Sequence, residues 1–322
     1  MNRSDNNAEA ESDVKPAAEV DDADSVKQHY EQWPFPGREF ISREGLLLLR
    51  YLQRWLAQAA AKGGGPKVLD VGCGTGHTTL ALARNFPDAE FVGIDISEPS
   101  LEIARREAER AGCTNLEYSN ADITRGLPDS DEFDVVLSLG VMHHIRNLSD
   151  HFRHLVAPLR AGGYLVLWFY GQHGRAAHRL NQMFLETLAG GRPGAEQLEI
   201  ARTFVEDLGQ RFAADSGFYT PRGSGEAGIE WLLDNPEWLA DQMIPAFEQN
   251  LTMTEILQLM DDHGLEFMNW LGAPGHLGEF TDSEPLLRLF DDLTSREQMI
   301  AIDYLIKPDY YLVTGRSGSR RE

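Results

Sequence analysis

The sequence predicts an α/β chain built on a doubly wound, mostly parallel sheet of seven strands, with a helical insertion between strands five and six. Three observations predict it. Short apolar runs alternate with helical patterns between residues 67 and 170, a rhythm that implies parallel strands with helices on both faces of the sheet. The first run, Lys67–Val71, breaks into Gly72, Gly74 and Gly76 before an Ala/Leu-rich helical stretch, and a strand that turns so sharply into a helix presents backbone N–H groups at the turn. Finally, the βα rhythm is lost from Gly171 to about Asn250 and then returns.

In chain order, residues 1–24 are acidic and poor in large apolar side chains, which predicts a disordered tail. Residues 25–66 form an N-terminal arm and helix. The arm holds Tyr30, Trp33, Pro34, Phe35, Pro36 and Gly37, where two prolines impose a stiff, extended turn. It either covers a pocket with Tyr30 pointing in, or staples the N-terminus to the domain. Ser42 is the expected cap of a helix to about Ala61, with Leu48, Tyr51, Leu52, Trp55 and Leu56 as its buried stripe.

The core spans 67–170, with further strands expected at 91–95, 116–119, 133–139 and 164–170. Ser97-Glu98-Pro99 is a helix start, Ser149 the expected cap of the helix after strand four, and Gly162-Gly163 its stop. Residues 171–250 read as a cap over the substrate, because loops at strand ends carry specificity; an interface or packing role is the alternative. Helices are expected at 177–190 and 195–213, with a Gly-rich loop from Ser216 to Gly228. Residues 251–315 complete the sheet through a helix at 252–263 and strands at 265–271 and 309–314, and 316–322 is a frayed tail.

Composition narrows the partners. The chain has 322 residues, 42% of them hydrophobic and 25% charged, ordinary proportions for a soluble globular protein. No apolar run approaches the ~20 residues that span a bilayer, and the acidic N-terminus lacks a signal pattern. Cys73 and Cys113 have neither disulfide-framework nor metal spacing, so no metal and a reducing cytoplasm are expected. A net charge of −22 argues against nucleic acid, which calls for a basic patch, and favours a small or cationic partner.

The glycine turn asks which cofactor approaches it. Its spacing is Asp70-x-Gly72-x-Gly74-x-Gly76, and His77 stands where the dinucleotide pattern G-x-G-x-x-G requires its third glycine. A pyrophosphate is therefore disfavoured. Ligands of such sheets bind at the carboxyl ends of the strands, where Gly72, Asp95, Asp122 and Leu139 all fall.

The run VLDVGCGTGHTTLALA, with GIDIS, resembles the first two motifs of class I S-adenosylmethionine-dependent methyltransferases. NADI, FDVVLSLGVMHHI and LRAGGYLVL are similar to the later motifs, in the same order and at normal spacing. The resemblance covers about residues 67–170, returns more weakly at 252–272 and 309–315, and implies a Rossmann-like sheet with S-adenosyl-L-methionine as cofactor. By position it implies that Asp70, Gly72, Gly74 and Gly76 approach the methionine end. Asp95 would accept from the ribose hydroxyls, Ile96 pack on the adenine, Asp122 accept from the adenine amino group, Ile123 supply an N–H, and Leu139 lie near the sulfonium. The stretch 237–271, with Asp241-Gln242 and Pro245, resembles the C-terminal part of a group of bacterial methyltransferases without a settled substrate. Members of that group often carry a Tyr…Pro-Phe-Pro arm like Tyr30–Pro36.

The implied reaction is methyl transfer to a small-molecule or peptide acceptor by in-line displacement, which needs positioning and exclusion of water and a base only if the acceptor must lose a proton. His143, His144 and Tyr30 are the catalytic candidates, with Tyr170 comparable. In the family the second histidine of such a pair tends to hold its loop by hydrogen bonds, and His77 is expected to make a helix-start contact. Cys73 reads as a compact filler. Two other classes stand beside this reading: a nicotinamide-dependent oxidoreductase, disfavoured by the glycine spacing, and a non-catalytic cofactor-binding or scaffold protein.

Overall fold

The computed structural model describes residues 22–36, 43–61, 63–127, 132–209 and 226–318. Residues 1–21 of the expected tail, Gly37 of the arm, the cap Ser42, residues 210–225 and residues 319–322 lie outside these. Seven strands form one sheet: β1 (Lys67–Val71), β2 (Glu90–Asp95), β3 (Leu116–Asn120), β4 (Phe133–Leu139), β5 (Leu159–Tyr170), β6 (Leu265–Trp270) and β7 (Tyr310–Ser317). Their order is β3-β2-β1-β4-β5-β7-β6. The first five pair in parallel, and β7 runs antiparallel to both β5 and β6.

Strand period two sorts the core onto two faces. Leu69, Val71, Val136, Leu165, Leu167 and Val313 pack on one side with Phe152, Met253 and Leu257. Val68, Val135, Leu137, Val166 and Leu312 pack on the other with Leu52, Trp55 and Leu56. The last three belong to α2 (Arg43–Ala60), which follows α1 (Asp22–Gln32). Tyr51, expected in the same buried stripe, is only half-buried. Three further helices, α3 (His77–Asn85), α4 (Glu98–Arg110) and α5 (Leu148–Val156), follow β1, β2 and β4. As expected, Ser97 caps α4, its hydroxyl accepting from Ser100 N.

Several boundaries differ from the sequence expectation. Asp22–Asp24, assigned to the tail, already belong to α1. Asn147, not Ser149, precedes α5, in the left-handed conformation and without a side-chain cap. Gly162-Gly163 does not stop that helix. It lies within β5, which starts at Leu159, beside a register break against β4. A Cβ on Gly163 would lie 2.9–3.2 Å from three backbone carbonyl oxygens, so the pair marks a strand irregularity that only glycine fits.

The insertion leaves and rejoins the sheet at one point. Gly171 bridges Leu251, and Leu251 N donates to Tyr170 O while Gln172 N donates to Leu251 O (3.0 and 2.8 Å). Between them lie α6 (Ala176–Ala189), α7 (Gly194–Phe204) with a π turn at Val205–Gly209, α8 (Glu226–Asp234) and α9 (Pro236–Met243). They share a core of Leu185, Phe204, Ile229, Leu232, Trp238 and Leu239. Helix α10 (Met253–Asp262) then starts at a capping box formed by Thr252 and Glu255. Two helices absent from the sequence expectation, α11 (Glu284–Asp291) and α12 (Ser295–Ile306), precede β7. That strand takes in Arg316 and Ser317, expected to be frayed. No helix among the described residues is long and apolar enough to cross a membrane.

Candidate active site at the strand ends

The turn after β1 is fixed by its own backbone. Gly72 N and Cys73 N both donate to Ile94 O (2.8 and 3.0 Å), which ties the turn to the end of β2. Gly74 N donates to Asp95 Oδ2, and Ser97 N to Asp95 Oδ1, each at 2.8 Å. The glycines admit parts of this chain itself. A Cβ on Gly72 would lie 2.2 Å from the Val141 side chain, one on Gly74 2.1 Å from Phe35 O, and one on Gly76 2.4 Å from the Tyr118 hydroxyl.

The contact at Gly74 docks the N-terminal arm. Phe35 O accepts from Thr75 N at 3.1 Å, Pro36 O from the Thr75 hydroxyl, and Tyr30 O from the Ser97 hydroxyl at 3.0 Å. Gly74→Ala is expected to unseat this arm, since Cβ would displace Phe35 O at a residue with φ of +55°. Tryptic cleavage at Lys27 in α1 should accelerate about tenfold or more while far-UV dichroism stays native; an unchanged cleavage rate would contradict the docking role.

A cavity of 580 Å³ opens at the strand ends. Of the residues singled out by sequence, Tyr30, Asp70, Gly72, Gly74, Asp95, Ile96, Asp122, Ile123, Leu139 and His144 line it. Gly76 is not on this lining, because its Cα backs onto Tyr118 and Ala104. His143 is also absent from the wall: it is fully buried among His144, Trp168 and Tyr170. Burial and the neighbouring His144 push its pKa well below the ordinary value, so it is a neutral packing residue.

The carboxylates are held differently. Asp122 accepts from Thr124 N and its hydroxyl (2.9 and 2.6 Å) through Oδ1, with Arg125 3.2 Å from Oδ2. Burial raises Asp95 above the usual carboxylate range, against its amide bonds to Ser97 and Gly74. Asp70 is buried and accepts from the Thr79 hydroxyl at 2.5 Å. Burial lifts its pKa from 3.8 to about 6, with a smaller upward push from Asp95.

A carboxyl group whose folded pKa is raised favours the folded state most while protonated. Its contribution is thus full below pH 3.8 and is lost as pH rises through about 6. Asp70→Asn is expected to remove this dependence, worth up to about 3 kcal/mol, from urea-melt stabilities measured between pH 4 and 7. An identical pH profile in the variant would refute it.

A second polar cluster, which sequence reasoning missed as a site, closes the cavity from the insertion. Asp241 of α9 is 3% exposed and lies on the lining. Tyr30 donates to its Oδ1 at 2.9 Å, Tyr170 to its Oδ2 at 3.3 Å, and Gln242 Nε2 to Oδ2 at 2.9 Å. Burial, reinforced by Asp241, pushes both phenols well above their ordinary pKa, so both are donors. His144 Nδ1 lies 2.7 Å from Phe247 O; a carbonyl only accepts, so Nδ1 carries the proton. That bond ties the loop after β4 to the insertion and leaves Nε2 3.7 Å from Asp241 Oδ1.

Behind this cluster Arg175 is wholly buried. Its guanidinium bonds both Glu248 oxygens (3.2 and 3.1 Å) and Gln242 Oε1 (3.0 Å) and lies 3.6 Å from the centroid of the Tyr170 ring. The signals for Asp241 were its place in the stretch 237–271 that carries the C-terminal resemblance, and an acidic residue inside the apolar run Trp238–Met243.

Residues 62–187 match the family described as a methyltransferase domain. An uncharacterized protein of Synechococcus sp. is 34% identical over 249 residues, 75% of this chain and 58% of that one. Trans-aconitate 2-methyltransferase of Streptomyces coelicolor is 32% identical over 134 residues, 41% of this chain and 43% of the enzyme. The chain thus spans about half the length of these relatives. The structure of PKMT2 from Rickettsia typhi, in complex with AdoHcy, superposes with a TM-score of 0.58 at 16% identity, over 80% of this chain and 49% of that one. Residues 62–187 are thus similar to a methyltransferase domain, and the sheet shares the fold of the AdoHcy-bound neighbour.

Proposed function

We propose that this chain binds S-adenosyl-L-methionine in the strand-end cavity and transfers its methyl group to a small-molecule or peptide acceptor. The observation that carries this reading is Asp95, at the end of β2 beside the glycine turn. Each of its oxygens accepts one backbone N–H, and a carboxylate oxygen keeps a second acceptor site, so Asp95 suits a pair of vicinal hydroxyls. Asp70 offers a negative charge to a cationic ligand, Ile96 and Ile123 offer apolar contact, and Asp122 accepts from an amino group. S-adenosylmethionine, when bound, supplies a methyl group already activated on a sulfonium.

The remaining work falls to the chain. The arm and the insertion exclude water. Tyr30, Tyr170 and Asp241 fix the acceptor's polar atom, and His144 Nε2 offers a lone pair for a proton if the acceptor must lose one. Calorimetry tests the reading: S-adenosylmethionine and S-adenosylhomocysteine should bind and NAD should not. Turnover of methyl-labelled cofactor with a metabolite extract should then yield a labelled product. Binding of NAD alone would favour the oxidoreductase, and cofactor binding without turnover the scaffold.

A further inference from the structure

The geometry points to an alkylammonium acceptor, whose cationic nitrogen meets Asp241 and whose apolar chain lies along the aliphatic part of the cavity. This inference rests on the methyl-transfer reading and names its substrate class. Four carboxylates line the cavity, Asp70, Asp95, Asp122 and Asp241, against one arginine or lysine among the described lining residues, Arg146. The guanidinium of Arg146 stacks on the Phe247 ring at 4.2 Å.

Asp241 is the carboxylate contributed by the insertion, and its hydrogen-bond donors are neutral: two phenols and an amide. The buried cation Arg175 is committed to Glu248 and Gln242. His144 Nε2, at 3.7 Å, is beyond hydrogen-bonding distance. A buried carboxylate supported only by neutral donors gains most from a cation.

The walls near it match such a cation. Tyr30, Phe35, Tyr170 and Trp238 line the same cavity, with Phe35 and Trp238 in ring contact at 4.8 Å. Aromatic faces attract ammonium groups, methylated ones included. Leu48, Leu49, Ala81, Leu82 and Leu312 also line the cavity, which provides room for a hydrocarbon chain. A carboxylate acceptor would be pressed against Asp241. A neutral hydroxyl would bring no charge to offset its burial.

His144 Nε2, 3.7 Å from Asp241 Oδ1, prepares the nitrogen. One N–H bond of the ammonium breaks, its proton forms an N–H bond on His144 Nε2, and the electron pair stays on nitrogen as the attacking lone pair.

Hexylammonium and hexanoate, close in size and opposite in charge, serve as probes for calorimetric titration of the protein saturated with S-adenosylhomocysteine at neutral pH. Hexylammonium is expected to bind and hexanoate not to. Asp241→Asn should weaken hexylammonium about 10- to 100-fold, the loss of one charged hydrogen bond, while S-adenosylhomocysteine affinity is unchanged. Hexanoate binding as tightly as hexylammonium, absence of amine binding at millimolar concentration, or an unchanged affinity in the variant would each overturn the inference. If the variant does not fold, the comparison of the two probes on the wild-type chain decides. Failure of S-adenosylhomocysteine to bind would instead overturn the methyl-transfer reading, and the two probes on the bare protein would still report the charge preference.

Discussion

Replacing Asp95 with alanine is expected to weaken S-adenosylhomocysteine binding by about 100-fold or more. The variant removes two acceptor sites on a charged group, each hydrogen bond worth about 1.5–3 kcal/mol, and every 1.4 kcal/mol is roughly tenfold in affinity. It also strips Gly74 N and Ser97 N of their acceptor, so the turn itself loosens. Asp95→Asn separates the two effects, because its amide oxygen retains one acceptor while the charge is lost. Calorimetry on both variants should rank wild type above asparagine and asparagine above alanine. Equal affinity in the alanine variant would remove Asp95 from the site.

Arg175→Leu is expected to destabilise the chain by about 3–5 kcal/mol, the cost of leaving one partner of a buried ion pair uncompensated. Both members of the pair have fully buried side chains, so solvent does not screen the orphaned Glu248. The guanidinium also backs the Tyr170 ring and holds Gln242, and its loss should slacken Asp241. Adding Glu248→Gln to Arg175→Leu should recover part of the stability by neutralising the stranded carboxylate. Urea denaturation measures both. A loss below about 1 kcal/mol in the single variant, as for a surface pair, would contradict this account.

The sheet was legible because its strands are covered on both faces. Phe133–Leu139 is apolar at every position but Asp134 and Ser138, and that run survives in one dimension. The strand-end carboxylate Asp95 was legible for a similar reason, since it is the last residue of β2. Asp241 was not, because its surroundings are assembled from afar: Tyr30 is 211 residues distant in sequence and Tyr170 is 71. Arg175 is legible only with Glu248, and the two are 73 residues apart. The glycine spacing announced that something approaches the turn closely. That Val141, Phe35 and Tyr118 do so depends on packing that spacing does not encode. Gly162-Gly163 misled because a pair of glycines suits a strand irregularity as well as a helix end. The helix α12 carried a readable start, Thr294 with Glu297 in a capping box, masked by the strand expected after it.

The arm that crosses the glycine turn has a consequence for timing. Tyr30 belongs to the same segment as Phe35 and Pro36, and all three line the cavity. Any movement that carries this segment away from Thr75 therefore withdraws a hydroxyl from Asp241 in the same stroke. Seclusion of the chamber and completion of its polar wall become one event, and a molecule that enters while the chain is ajar meets an Asp241 still lacking one of its donors.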